Sequence, residues 1–94
     1  MADLKDLREA AGEAEKALKW TRVAISVEEQ IRTLSARIES LKRQREHAKD
    51  PKAQAGYDMA LSQSSETRGE LERKKSDALS KIRKSAHEVL GKTS

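Results

Sequence analysis

The chain has 94 residues, 38% of them charged and only 2% aromatic, with one Pro, four Gly and no Phe; this allows one domain at most and excludes a thick globular core. With no Cys, a disulfide framework, a thiolate nucleophile and a Cys-based zinc site are excluded as well. The net charge of +4 keeps phosphate-bearing partners in play.

The chain begins with acids, Asp3 and Asp6, where a secretory signal would carry a basic and then an apolar run. No apolar run approaches ~18 residues, so no membrane span is expected and the default location is cytoplasmic. Helical spacing starts at once. Leu4, Leu7, Ala11, Ala14, Leu18, Thr21 and Ile25 are alternately three and four apart, which is a heptad seam. A second seam follows at Ala24, Val27, Ile31, Leu34, Ile38 and Leu41, set one residue earlier than the first requires. One residue turns a helix by about 100°, whereas a helix drifts only ~20° per heptad against a strict seven-residue repeat. The two seams therefore cannot share one straight face. Ser26-Val27-Glu28-Glu29 matches a capping box, and Thr21, Val23 and Ile25 are β-branched. The expectation is a first arm over about residues 3–48 that is broken at Ser26 with a fresh start, bent there as one long helix, or continuous with Ser26 simply exposed. Trp20 falls at the changeover, as a plug for the shift or as a partner anchor.

Asp50-Pro51 then ends the first arm. Asp favours the N-cap, Pro the first helical position, and the residue before Pro leaves the α region. The turn is expected at about residues 49–52 and the second arm at about 52–90. A fold-back there pairs residues whose numbers sum to roughly 101. Tyr57 then packs on Leu41 and closes the hairpin, and Leu18 faces Ile82. Leu34 lies opposite the polar run from Ser62 to Gly69, a weak layer where local opening or partner contact is expected. Leu71, Ala78, Leu79, Ile82, Ala86, Val89 and Leu90 carry the second apolar face, and Gly91-Lys92 reads as a left-handed C-cap.

Chemistry is sparse. His47 at the turn and His87 near the C-terminus are too far apart in a hairpin to cooperate, and the four glycines form no phosphate loop. No catalytic, cofactor-binding or metal-ligating set is expected. The segment 71–94 has a net charge of +4, with Arg73, Lys74, Lys75, Lys81, Arg83 and Lys84 as candidate anion contacts. Acids interleave with these residues, and only Trp20 and Tyr57 could stack on bases.

Asp50-Pro51, Tyr57 and Leu61-Ser62 together resemble the turn and second-helix start of the needle subunits of bacterial type III secretion, themselves small hairpins with a Pro-containing turn. Their hairpin-shaped chaperones likewise turn at an Asp-Pro. The resemblance spans residues 50–62 and implies a needle-like or needle-chaperone-like hairpin as one alternative function, without assigning residue roles. The first arm departs from it in being more charged and more heptad-like, and the second lacks the pattern of a needle subunit's buried end.

The sequence thus predicts an all-α, coiled-coil-like antiparallel helical hairpin as a single domain over residues 1–94, completing its core by self-association or with a partner helix. Its expected function is non-enzymatic protein–protein interaction, as an adaptor, small chaperone or assembly subunit. The alternative is a basic hairpin that binds nucleic acid or the ribosome. Packing or partner contact is expected of Leu18, Trp20, Ile25, Ile31, Leu34, Ile38 and Leu41 in the first arm. Tyr57, Leu71, Ile82 and Val89 are their counterparts in the second.

Overall fold

A computed structural model describes residues 2–94. It contains α1 (Leu4–His47) and α2 (Pro51–Thr93), packed as an antiparallel hairpin, with no strand among the described residues.

Local chemistry sets the helix ends. At the start of α1, the Asp6 N–H donates to Asp3 Oδ1 at 2.9 Å and the Asp3 N–H donates back to Asp6 Oδ2 at 3.3 Å. This is a reciprocal capping box with Asp in place of the usual Glu. At the other end, the Ala48 N–H reaches the Arg45 carbonyl, and the Gln54 side chain donates to the Ala48 carbonyl at 2.7 Å. A side chain of α2 thereby satisfies a carbonyl orphaned at the end of α1. Asp50 caps α2 as expected: its Oδ1 accepts from the Lys52 N–H at 3.1 Å, and Pro51 takes the first helical position.

Of the readings left open at Ser26, the continuous one holds: α1 runs unbroken from Leu4 to His47, with no fresh start at Ser26. The β-branched Thr21 is accommodated because its hydroxyl donates back to the Ala17 carbonyl at 2.7 Å. Gly91 is not a left-handed cap: among the described residues no glycine has positive φ, and α2 continues to Thr93. The Ser62–Gly69 run is likewise helical, with Ser64 buried in it.

The packing divides into two compact units, one formed by the stretch ending at Ser26 with Lys74–Ser94, the other by Val27–Arg73. In the second unit, which holds the turn, Val27, Ile31, Ile38 and Leu71 are buried, with Leu34, Leu41, Tyr57 and Leu61 half-buried. Ile38 is the most enclosed large side chain, at 1% exposure. In the first unit, which holds both termini, Ala10, Ala78 and Ser85 are buried, and Ala17, Trp20, Ala24, Ile82 and Val89 are half-buried.

The inward residues of α1, namely Ala10, Glu13, Ala17, Trp20, Ala24, Val27, Ile31, Leu34, Ile38 and Leu41, keep one three-and-four spacing throughout. The second of the two sequence seams is therefore the internal one, and it continues toward the N-terminus through small and polar side chains. Leu18, expected to face Ile82 across the hairpin, and Ile25, expected in packing or partner contact, each lie one position beyond this seam and keep 51% and 53% of their surface. Trp20, expected at a discontinuity, belongs to the seam. The fold-back register holds in each unit. In the unit of the termini the cross-helix pairs Glu9–Lys92 and Trp20–Lys81 both sum to 101; in that of the turn, Arg45–Asp58 sums to 103.

Candidate functional site

The residues that follow each seam position are turned about 100° from it. Because the two helices run in opposite directions, these residues fall on the same side of the hairpin in both. In the unit of the termini this side carries Leu4, Leu7, Ala11, Ala14, Leu18, Thr21 and Ile25 from α1, with Leu79, Ala86 and Leu90 from α2. Leu4, Leu7, Leu18, Ile25 and Leu90 each keep between 51% and 69% of their surface. Arg83 is the one charged side chain at these positions of 74–94. The result is a heptad stripe that the hairpin leaves exposed except at Thr21 and Leu79, which are half-buried.

The opposite side of the same unit is charged. Shallow depressions there are lined by Glu9, Glu13, Lys16, Lys81, Lys84 and Glu88. Lys92 Nζ lies 2.6 Å from Glu9 Oε2, Lys81 pairs with Asp77 at 3.1 Å, and Lys16 pairs with Glu13 at 3.2 Å. The hydrogen bond from Lys92, reinforced by its charge, holds the Glu9 carboxyl below its ordinary value, and the same bond raises Lys92. Lys81 also lies 3.9 Å from the centre of the Trp20 ring, a cation–π contact that covers the half-buried indole.

In the unit of the turn, the positions just after the α1 seam carry Glu28, Arg32, Ser35, Glu39, Lys42 and Glu46. Arg32 pairs with Glu28, Lys42 with Glu39, and Arg45 with Asp58 across the helices at 2.8 Å. The Arg45 hydrogen bond lowers Asp58 and raises Arg45. The apolar stripe is thus confined to the unit of the termini, while Met59 is exposed singly in the unit of the turn. Tyr57 shares a shallow depression with Ser40, Gln44, His47 and Ala48.

The six candidate anion contacts do not all share one face: Lys74, Lys81 and Lys84 fall on the charged side and Arg83 on the apolar one. Lys81 is engaged by Asp77 and Trp20, Lys75 is half-buried, and Lys74, Arg83 and Lys84 are exposed in the unit of the termini. Arg73, also exposed, belongs to the other unit. His87 and His47 fall in different units. Among the described residues no group of three or more His, Cys, Asp or Glu converges on a metal-sized site, and no helix is long and apolar enough to cross a membrane.

The sequence reading found the residues of the outer stripe as a heptad seam but set Leu18 against Ile82, inside the hairpin. A signal for the other assignment was present: Ala10, Glu13, Ala17 and Trp20 extend the second seam backwards without a break in phase. Fold and surface together define an all-α hairpin with one uncovered apolar heptad stripe. No family model, curated protein or solved structure matches the chain.

Proposed function

We propose that the chain is a non-enzymatic protein-association module, and that it associates through the face built on Leu4, Leu7, Leu18, Ile25 and Leu90. The observation that carries this reading is the second heptad stripe. A hairpin needs one seam per helix to close, and α1 has two in its first half, the outer one richer in leucine than the inner. Three-and-four spacing sustained over three heptads is the pattern a helix presents to another helix. Contiguous exposed apolar surface of this kind marks interaction sites in soluble proteins. The charged residues on the opposite side are largely satisfied by one another, which suits a solvated surface and gives a nucleic-acid reading less support.

Site-specific photo-crosslinking in producing cells tests the proposal. A benzophenone side chain at Leu7 or Leu18 is expected to give strong adducts, identified by mass spectrometry, and the same group at Lys16 weak ones. Equal yields at all three positions, or none, would reject the face.

A further inference from the structure

We infer that the occupant of this face is a second copy of the same chain, lying antiparallel so that the first halves of the two α1 helices pack on each other; the inference rests on the association face proposed above. The stripe is self-complementary. Read from either end, Leu4, Leu7, Ala11, Ala14, Leu18 and Thr21 run large to small and back, apart from the threonine. An antiparallel two-fold pairing centred between Ala11 and Ala14 sets Leu7 against Leu18 of the second copy, and Ala11 against its Ala14. Small residues at the centre let the helices approach closely, and Leu90, the most exposed large apolar residue at 69%, lies at that level on α2. A two-fold interface requires this kind of match between a patch and itself.

The charges at the edge agree. Arg8, Glu15 and Arg22 border the stripe at heptad spacing. Antiparallel pairing about the same centre brings Arg8 of each copy to Glu15 of the other, twice.

The exposed area fits as well. The chain exposes 7139 Å² at 10.5 kDa, whereas a compact monomer of that mass exposes about 5400 Å². The excess, about 1700 Å² on one chain, is about twice the ~800 Å² that each partner buries in a standard specific interface, so one copy fits within it. One copy on this face gives each apolar stripe the partner its spacing requires.

Sedimentation equilibrium from micromolar to millimolar chain, with circular dichroism alongside, tests the inference. The expected mass is twice 10.5 kDa. Leu18→Glu should return it to one chain with helicity kept, because Leu18 is outside the internal seam. Arg8→Glu should weaken self-association roughly tenfold, as should Glu15→Arg, and the double exchange should restore it. A single-chain mass at every concentration overturns the second-copy assignment, and cross-links from position 18 to a different protein would then leave the association face standing. A dimer indifferent to Leu18→Glu overturns both. A double exchange weaker than either single change overturns the antiparallel pairing.

Discussion

Ile38 and Leu18 are both large aliphatic residues on α1, yet they do opposite work. Ile38 is enclosed, so Ile38→Ala removes buried methylenes and leaves a cavity, an expected loss of about 2–4 kcal/mol. Leu18→Ala should change monomer stability by well under ~1 kcal/mol, since half its surface is already in water. Leu34 and Ile82 are half-buried and should fall between the two. Urea denaturation followed by circular dichroism, at concentrations where the chain is single, ranks all four.

The ion pairs make a second prediction, with its sign fixed by linkage. Glu9 and Asp58 are held below their ordinary values of 4.5 and 3.8 in the folded chain. Their contribution is therefore complete above those values and is lost as pH falls through the lower folded ones. Lys92, raised above 10.5, contributes fully below that pH and loses its contribution as pH rises past it. Carboxyl titration by NMR should place the Glu9 midpoint below 4.5, and Lys92→Ala should bring it back toward that value. A Glu9 midpoint indifferent to Lys92 would remove this pair from the account.

For the elements, the contrast lies between what short-range chemistry fixes and what it leaves open. The Asp50-Pro51 turn was legible because the cap and the missing N–H act within four residues, and its place near the middle of the chain carried the register with it. That local chemistry also accounts for the Asp50-Pro51 part of the likeness to secretion-needle hairpins. The Gly91 cap was misread because a glycine near a helix end permits a left-handed turn without compelling one. At Gly91, as at Gly12, an added Cβ meets nothing within 4 Å, and neither residue has positive φ. Gly12→Ala, in mid-helix, should raise stability by about 0.5–1 kcal/mol. Gly91→Ala should do so by less, near the frayed end; a loss there would restore the cap reading. Asp50→Ala should cost about 1 kcal/mol, because it removes the oxygen that holds the Lys52 N–H. Thermal melts of the three variants check these values.

For the molecule as a whole, the fold class was readable and the assignment of the two stripes was not. Apolar periodicity reports that a helix face is covered, but it does not say by what. In the first half of α1 the leucine-rich stripe outweighs Ala10, Glu13, Ala17 and Trp20, so hydrophobicity alone points to the wrong face as the internal one. Close antiparallel packing accepts small residues and a tryptophan shielded by Lys81, which leaves the larger side chains outside. In the first half of α1 the small residues close the hairpin and the leucines stay outside it.

Ala10 and Ala11 isolate that claim, being chemically identical neighbours of which one is buried and the other exposed. The deciding measurement is the melting temperature of Ala10→Glu beside that of Ala11→Glu, at a concentration where the chain is single. Ala10→Glu should melt far below the parent chain, because it forces an unpaired charge into the helix interface, while Ala11→Glu stays close to the parent. Equal losses, or the larger loss at Ala11, would put the leucine stripe inside the hairpin and contradict the account.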